Sequence, residues 1–399
     1  MKKKKPECGG DEKPPSALSV VPGQGGGHDG MPGKGPRRRG GEARTAGISP
    51  LKTDAYVRGV LAGDRTVLGR AITLVESNAP GHQEQGQELL RILLPRAVDS
   101  IRVGITGTPG SGKSTFIETL GTMLTERGHK VAVMAVDPSS SVSGGSILGD
   151  KTRMERLARN PSAFIRPSPT GGTLGGVARK TRETIVLFEA AGYDVILVET
   201  VGVGQNEIAV RSLVDFFLLF LVAGGGDELQ GIKKGVMELA DALVVNKADG
   251  DNVVAAATAR AEYARALHYL RPATEGWRTE SFTASALTGD GVAAIWDVIG
   301  AFRRIVAANG VFDRRRRDQA VDWLHGLIEE GLKEMFYRHP AVADVLPGIE
   351  GGVKDGSLPA VRAALRLLDI YRKSDRAGAE APPVDDEEAR NGPDQQRNR

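Results

Sequence analysis

A glycine-rich segment near residue 110 contains the residue types that bind a polyphosphate. Residues 107–114 read Gly-Thr-Pro-Gly-Ser-Gly-Lys-Ser, which fits the pattern G-x-x-x-x-G-K-[ST]. Glycines let the backbone wrap around the ligand, so that successive N–H groups face its oxygens. In this pattern Lys113 reaches the β- and γ-phosphates, and the Ser114 hydroxyl binds Mg²⁺. The predicted phosphate-binding residues are Gly107, Thr108, Pro109, Gly110, Ser111, Gly112, Lys113, Ser114 and Thr115.

The residues on either side decide whether this pattern is a chance match, because the chain contains 52 glycines. The apolar run Ile101–Thr106 precedes the segment and predicts a strand. Apolar residues at helical spacing, Phe116, Ile117 and Leu120, follow it and predict a helix from Ser114. Strand, glycine-rich loop and helix in this order favour a phosphate-binding loop over a chance match.

A second motif, Asn-Lys-Ala-Asp at 246–249, follows the apolar run Leu243–Val245 and points to guanine. In an N-K-x-D motif the aspartate accepts hydrogen bonds from guanine N1–H and from its exocyclic amine, a pair that adenine does not present. Alone, four residues are equally compatible with a polar helix cap, but a strand end downstream of a phosphate loop favours base recognition. A Ser-Ala-Leu tripeptide after a predicted final strand resembles the loop that completes a guanine pocket. The predicted base-binding residues are Asn246, Lys247, Asp249, Ser285, Ala286 and Leu287.

Three acidic residues are candidates for binding the metal or orienting the attacking water. Glu199 follows the apolar run Val195–Val198, and a carboxylate at a strand end near a phosphate loop can hold Mg²⁺ through water. Many GTPases have aspartate at this position, so glutamate suggests a different branch; a strand cap is the alternative. Asp137 follows the run Val131–Val136, and Asp150 lies beyond a Ser/Gly-rich stretch that reads either as a switch or as an ordinary loop. Spacing leaves open which of these two carboxylates serves the metal and which the water.

Two further segments have the composition of regions that respond to the nucleotide. Gly202, close to Glu199, allows a backbone N–H to sense the γ-phosphate. The segment 224–234 opens with three glycines after the apolar run Phe216–Val222. This composition predicts a conformationally permissive loop near the nucleotide, without indicating its purpose.

The apolar runs predict an α/β fold. They are continuous rather than alternating, as expected for parallel strands covered by helices on both faces. Helical spacing precedes them between Thr53 and Leu94, where Asp64 is a candidate N-cap, and returns after residue 310. A stripe on the later helix comprises Leu324, Leu327, Ile328, Leu332, Met335 and Phe336. The predicted divisions are a tail at 1–49, a helical element at 50–98, a P-loop domain at 99–308, a helical arm at 309–374 and a tail at 375–399.

Composition excludes several classes of protein. A net charge of +3 over 399 residues gives no reason to expect a nucleic-acid partner. The longest apolar run, residues 216–223, is far shorter than the roughly 20 residues of a membrane-spanning helix. The single cysteine, Cys8, excludes an intrachain disulfide and fits a reducing compartment. The lysine-rich start lacks the apolar stretch of a secretory signal, so we expect a cytoplasmic protein with Gly/Pro-rich, disordered tails.

With these motifs in view, the chain resembles the methylmalonyl-CoA mutase-associated GTPases, the MeaB/ArgK group. The resemblance runs from about Tyr56 into the C-terminal helices. It is carried by YVRGVLAGDRTVLGRAITLVES, GITGTPGSGKSTFIETLG, AVDPSSSVSGGSILGDKTRM, VILVETVGVGQNE, GDELQGIKKGVMELAD and NKAD. Two features depart from the family: residues 222–226 lack an expected proline, and the 49-residue leader lies outside its core.

The resemblance implies a P-loop NTPase fold of the SIMIBI type, with an N-terminal helical element and a C-terminal arm used for homodimerisation. It implies that the groups serving phosphate and Mg²⁺ are Lys113, Ser114, Asp137, Asp150 and Glu199. It also implies that Gln230 and Lys233 convey the nucleotide state to a partner, an adenosylcobalamin-dependent acyl-CoA mutase. The chain would then hydrolyse GTP as a chaperone that gates cofactor loading and protects or reactivates the mutase.

Two other functions are alternatives. Members of the family have been labelled as kinases linked to amino-acid transport, but the N-K-x-D motif disfavours ATP and no acceptor-binding module is evident. A metallocentre-assembly GTPase shares the same core, but such proteins commonly carry His/Cys clusters, and this chain has six scattered histidines and one cysteine. No arginine finger is identifiable in the sequence, so we expect slow intrinsic turnover that a partner accelerates.

Overall fold

A computed structural model of the chain describes residues 51–136, 154–167, 174–200, 207–223 and 234–379. All of them belong to one compact unit, Leu51–Arg399. None of the helices in these ranges combines the length and the apolar character that crossing a bilayer requires.

Seven parallel strands form the sheet at the centre of this unit. The strand order is β3-β2-β4-β1-β5-β6-β7. This topology confirms the predicted α/β class. The strands are β1 (Ile101–Gly107), β2 (Val131–Val136), β3 (Ala163–Pro167), β4 (Val195–Thr200), β5 (Phe216–Val222), β6 (Ala242–Asn246) and β7 (Glu280–Thr283).

Helices cover both faces of the sheet and extend the unit at each end. Thirteen α-helices lie within the described residues. They are α1 (Thr53–Leu61), α2 (Arg65–Glu76), α3 (Pro80–Leu93), α4 (Lys113–Glu126), α5 (Glu155–Arg159), α6 (Leu174–Ala190), α7 (Glu207–Arg211), α8 (Lys234–Met237), α9 (Val253–Leu267), α10 (Val292–Ala308), α11 (Val311–Arg338), α12 (Pro340–Lys354) and α13 (Ala360–Ala379).

Strand β5 shows why the apolar runs are continuous. Successive residues of a strand point to opposite faces of the sheet. Phe216, Leu218 and Phe220 therefore enter the core beneath α4 and α10, while Phe217 and Leu219 enter the core shared with α6 and the N-terminal helices. Because helices cover both faces of the sheet, the side chain at each position of the strand has to be apolar.

The N-terminal helices form part of the second of these cores. Helices α1, α2 and α3 each pack against α6, which lies on the sheet. Asp64 caps α2 as predicted: its carboxylate accepts hydrogen bonds from the backbone N–H groups of Thr66 at 2.8 Å and Val67 at 3.1 Å. The cap satisfies donors that the first turn of a helix otherwise leaves without a partner.

Strand β3 has no counterpart among the predicted strands. It is an edge strand of five residues, in which buried Ala163 and Ile165 alternate with half-buried neighbours and Pro167 ends the strand. Its Arg166 forms an ion pair with Glu76 of α2. Proline is tolerated at an edge, where no further strand needs its missing N–H group. The alternation and the arginine hide this strand from a search for continuous apolar runs.

Buried carboxylates at the amino ends of two strands bind arginines of the long helix α11 and of α7. Asp215, directly before β5, accepts hydrogen bonds from Arg316 of α11 at 2.7 and 2.9 Å and from the backbone N–H of Arg102 at 2.9 Å. Burial alone would raise the pKa of Asp215, but the hydrogen bonds and charge of Arg316 hold it below the ordinary value. Asp241, before β6, accepts a hydrogen bond from Arg211 of α7 at 2.8 Å. For Asp241 burial prevails, and its pKa is raised despite Arg211.

We predict that Asp215→Asn lowers the free energy of unfolding by about 3–5 kcal/mol at pH 7, because the guanidinium of Arg316 stays buried without its counter-charge. Urea denaturation measures this change. Asp313→Asn, at an exposed position of α11, should shift the free energy of unfolding by less than about 0.5 kcal/mol.

The stabilisation by Asp215 should depend on pH. The folded pKa of Asp215 is lowered, so its contribution to stability is present above the unfolded pKa of 3.8 and is lost as the pH falls through the folded value. A difference between wild type and Asp215→Asn that does not shrink in acid would contradict this account.

Candidate nucleotide-binding site

The phosphate loop lies between β1 and α4, at the carboxyl end of the central strand. Gly107 has φ 149°, and a Cβ there would lie 2.2 Å from the carbonyl oxygen of Phe220. Gly112 has φ 88°, and a Cβ there would lie 2.4 Å from Nδ2 of Asn246. Both glycines are therefore required by backbone conformation and by close packing.

Lys113 folds back over this loop. Its Nζ donates hydrogen bonds to the carbonyl oxygens of Gly107 at 2.8 Å and Thr108 at 3.0 Å. These contacts use two of the three donors of the ammonium group. Burial lowers the pKa of Lys113, and the negative charge of Glu199 opposes that shift. The two carbonyl contacts therefore hold the amino group of Lys113 at the centre of the loop.

Ser114 and Glu199 meet beside Lys113. The Ser114 hydroxyl donates a hydrogen bond of 2.8 Å to Oε1 of Glu199. Glu199 is buried and belongs to β4, which extends two residues beyond its predicted end at Val198 and pairs Glu199 with Ile105 of β1. A hydroxyl oxygen and a carboxylate oxygen are the kinds of ligand that a hard cation such as Mg²⁺ prefers.

The other predicted metal and switch residues lie outside the described part of the chain. Asp137 and Asp150 belong to the segment 137–153, Gly202 to 201–206, and Gln230 and Lys233 to 224–233. Within the described ranges no group of three or more acidic, histidine or cysteine side chains is placed to hold a metal ion.

Asn246 joins the phosphate loop to the second half of the site. It is the last residue of β6, and its side chain is buried. Its Nδ2 donates a hydrogen bond of 2.7 Å to the carbonyl oxygen of Ser111, and its Oδ1 accepts one of 3.0 Å from the backbone N–H of Ala286. Both polar groups of the side chain therefore bridge protein segments. The motif alone does not reveal this role.

Asp249 contacts the Ser-Ala-Leu segment at residues 285–287. Its carboxylate accepts a hydrogen bond from the hydroxyl of Ser285, which is fully buried. Lys247 has φ 59°, the one positive φ of a non-glycine residue in the described ranges, and Asn252 Nδ2 donates a hydrogen bond of 2.7 Å to its carbonyl oxygen. Leu287 is 81% exposed. The structure thus brings residues of the Asn-Lys-Ala-Asp and Ser-Ala-Leu motifs together beside the phosphate loop.

Helix α4 supplies two supporting contacts that the motifs do not predict. The Thr119 hydroxyl donates a hydrogen bond of 2.7 Å to the carbonyl oxygen of Ala286. The Glu118 carboxylate accepts hydrogen bonds from the backbone N–H groups of Arg156 at 2.8 Å and Leu157 at 3.2 Å, at the start of α5. The only sequence signal for either residue is its place on the helix after the phosphate loop.

A parallel sheet with a phosphate loop after its central strand and an Asn-Lys-Ala-Asp segment beside it defines the P-loop GTPase class. The family model described as "Methylmalonyl Co-A mutase-associated GTPase MeaB" matches residues 68–341. The chain belongs to this family and is a GTPase.

Individual relatives agree with this assignment. A Mycobacterium tuberculosis protein named as a GTPase is 54% identical over 323 residues, covering 81% of this chain and 96% of the relative. The mouse protein named "Methylmalonic aciduria type A homolog, mitochondrial" is 48% identical, covering 82% of each chain. A crystal structure titled "LAO/AO transport system kinase" superposes with a TM-score of 0.65 at 38% identity, covering 82% of this chain and 99% of the other.

We predict that Asp249→Asn lowers the affinity for GTP at least about 10-fold, because an amide cannot accept both guanine hydrogen bonds. The same change should raise the affinity for xanthosine triphosphate, whose base offers a carbonyl to the new N–H group. Competition against a fluorescent GDP analogue measures both affinities. Asp251→Asn, two residues away and exposed, is the matched control and should leave both unchanged. An Asp249→Asn variant that keeps full GTP affinity would show that Asp249 does not read the base.

Proposed function

We propose that this GTPase is a chaperone of an adenosylcobalamin-dependent acyl-CoA mutase of the methylmalonyl-CoA mutase type. It gates cofactor loading and protects or reactivates that enzyme. The observation that carries the proposal is the match over residues 68–341 to a family that is named for its association with methylmalonyl-CoA mutase. The name of the mouse relative, a methylmalonic aciduria type A homolog, supports it.

The phosphate end of the site supplies the charge for hydrolysis. Lys113, held over the loop by two backbone carbonyls, neutralises the β- and γ-phosphates. Ser114 and Glu199 fit a magnesium ion, because their oxygens already lie 2.8 Å apart. When bound, Mg²⁺ offsets negative charge on the same phosphates. Asp137 and Asp150 are the remaining proposed residues of this end: one binds the metal, and the other orients the attacking water.

The base end of the site selects guanine. Asp249 accepts the two guanine hydrogen bonds, and the Ser285 hydroxyl beside it fixes the orientation of the carboxylate. Asn246 keeps this end in register with the phosphate loop through Ser111 and Ala286. The proposed contacts of Lys247 and Leu287 are with the exposed faces of the base.

The nucleotide state reaches the mutase through Gly202, Gln230 and Lys233 in this proposal. Their segments begin just after β4 and β5, the two strands that pair with β1 on either side. Strands β4 and β5 therefore lie next to the strand that carries the phosphate loop. In this proposal the γ-phosphate acts on the residues that follow these two strands.

We predict that the purified cognate mutase raises the GTP turnover of this chain at least about 10-fold, because no arginine finger is identifiable in cis. Release of inorganic phosphate measures turnover with and without the mutase. Lys113→Ala should abolish both rates, and heat-denatured mutase should leave the basal rate unchanged. Turnover that stays constant at saturating mutase would contradict the chaperone proposal while leaving the GTPase assignment intact.

A kinase linked to amino-acid transport is the second candidate, because the similar crystal structure is titled a transport system kinase. A kinase transfers the γ-phosphate to an acceptor group, whereas a GTPase transfers it to water. The same turnover assay distinguishes them if it is run with γ-labelled ATP and GTP. Label recovered only as free phosphate from GTP would remove the kinase candidate.

We also propose that the chain forms a homodimer through its C-terminal arm. On α11 the predicted apolar stripe divides into two parts: Phe336 packs against α12 and α13, but four other members face outward. Those four are between 49% and 60% exposed, and no described residue covers them: Leu324, Ile328, Leu332 and Met335. An apolar stripe of this length on an exposed helix suits burial against an identical helix.

We predict that the double change Ile328→Glu, Leu332→Glu converts a dimer to a monomer, because it places two charges in the apolar contact. Light scattering after gel filtration, at about 10 µM chain, measures the mass. Glu329→Gln, exposed on the same helix, is the control and should retain the dimer. Equal masses for wild type and the double variant would contradict the proposed interface.

A further inference from the structure

A pocket of about 600 Å³ lies between α9, the connection at residues 268–279 and the start of β7. Three arginines line this basic pocket: Arg260 of α9, and Arg271 and Arg278 of the connection. We propose that the basic pocket binds an organic phosphate, in which several phosphate charges are joined to a planar or apolar body. Coenzyme A is the ligand of this class that the proposed function supplies, and that identification rests on the proposed function.

The three arginines carry charge that the described part of the chain does not neutralise. All three residues are exposed, so a ligand in solution can reach them. None of them forms an ion pair or a side-chain hydrogen bond with a described residue. Glu280 is the only carboxylate among the described residues that line the pocket. Like charges placed around one concave surface attract small anions into it.

The end of α9 does not require these arginines for its own stability. Carbonyl groups in the last turn of a helix have no partners within the helix and favour a nearby cation. Arg265 already lies in that turn, and its Nε donates a hydrogen bond of 3.4 Å to the carbonyl oxygen of Ala261. The arginines of the basic pocket are therefore available to a ligand.

The rest of the wall is largely apolar. Its apolar members are Met237, Ala264, Leu267, Leu270 and Pro272. An inorganic anion bound by the arginines would leave this part of the wall in contact with water. A ligand that also has a planar or apolar body covers it, and the burial of that surface contributes to binding.

Hydrogen bonds between the walls hold the pocket open. The Ser281 hydroxyl of β7 donates a hydrogen bond of 2.9 Å to the carbonyl oxygen of Arg260, which fixes α9 against the strand. The Thr279 hydroxyl donates one of 2.9 Å to the carbonyl oxygen of Ala240, which fixes the end of the connection. The pocket is therefore formed before a ligand binds, as small-molecule sites commonly are.

The chemistry of the arginines favours phosphate groups. A guanidinium presents its N–H donors in a planar fork that matches two oxygens of one phosphate. The volume of the pocket falls within the range of roughly 300–1,000 Å³ that is typical of small-molecule sites. A ligand that carries several phosphates can engage more than one of the arginines while its body lies on the apolar wall.

The basic pocket is separate from the nucleotide site. Its β7 residues, Glu280 and Ser281, pair with the first two residues of β6, whereas Asn246 ends β6 at the nucleotide edge. Met237 lines the pocket and ends α8, the helix that begins directly after the segment 224–233. A ligand in the basic pocket would therefore touch the helix that follows the proposed switch residues Gln230 and Lys233.

The test uses the full chain saturated with Mg²⁺ and a non-hydrolysable GTP analogue, so that the phosphate loop is already filled. Isothermal titration calorimetry at constant pH and ionic strength compares coenzyme A, sulfate, pantetheine and the peptide Asp-Asp-Glu-Glu, a sequence that occurs at 385–388 of this chain. We expect coenzyme A to bind with a dissociation constant of about 100 µM or lower. Sulfate and the peptide should bind at least about 10-fold more weakly, and pantetheine, which has no phosphate, should not bind.

Three outcomes would overturn the proposal. The first is a lack of binding by coenzyme A. The second is equal affinity for coenzyme A and sulfate, which would show that the pocket accepts any anion. The third is tighter binding of the peptide than of coenzyme A, which would assign the pocket to an acidic protein segment.

Matched variants locate the binding. Arg271→Gln and Arg278→Gln each remove one guanidinium from the pocket and should weaken the binding of coenzyme A at least about 5-fold. Both positions are exposed, so each variant should fold. Arg265→Gln removes the same charge from α9 outside the pocket and should bind coenzyme A as the wild type does. Equal weakening in all three variants would contradict the assignment to this pocket.

The basic pocket and the proposed function can fail separately. Turnover that the mutase does not stimulate would contradict the chaperone proposal, but it would not change the measured affinity for coenzyme A. A lack of coenzyme A binding would remove the inference about the pocket and leave any stimulation by the mutase intact.

Discussion

The side chain of Asn246 holds the candidate site together. It is a buried carboxamide whose donor binds the phosphate loop at Ser111 and whose acceptor binds the backbone at Ala286. Loops at the carboxyl edge of a sheet have no ladder hydrogen bonds of their own, so a polar bridge is needed to fix their spacing. Gly112 leaves room for this bridge, because a Cβ there would lie 2.4 Å from the amide nitrogen. The distance between the phosphate loop and the base-binding segment therefore depends on Asn246, and the hydrogen bond from Thr119 to Ala286 is a second link between them.

The opposite edge of the same sheet carries a different set of polar contacts. Asp215 and Asp241, directly before β5 and β6, are fully buried and bonded to arginines of α11 and α7. The contact between Asp215 and Arg316 attaches the C-terminal arm to the core. Helix α7 follows the segment that contains Gly202, and Arg182 bonds the turn after it while lying against Trp323 of α11. Described contacts thus join the arm to α6 and to the turn after α7.

The sequence predicted the main features of the fold because their physical causes are local. Continuous apolar runs identified β1, β2, β4, β5 and β6, since a parallel strand covered on both faces needs an apolar residue at every position. Asp64 was recognisable as an N-cap because a cap is satisfied within its own turn. Strand β3 was not recognisable in the sequence. Its alternating pattern includes Arg166, whose partner Glu76 of α2 is known only from the tertiary structure. Likewise, only the packing of α12 and α13 against Phe336 shows that the apolar stripe on α11 has a buried part and an exposed part.

The sequence by itself determined the class of chemistry. The glycine-rich segment with Lys113 and Ser114 and the motif that ends in Asp249 are recognised from their own residues, from the apolar runs beside them and from their order along the chain. Tertiary structure alone decided which groups meet. It placed Glu199 at 2.8 Å from Ser114, 85 residues away, and it set Asn246 between two loops and Arg182 against Trp323. The reason is that periodicity and turn chemistry act over a few residues, whereas contacts between distant residues follow from strand order and helix packing.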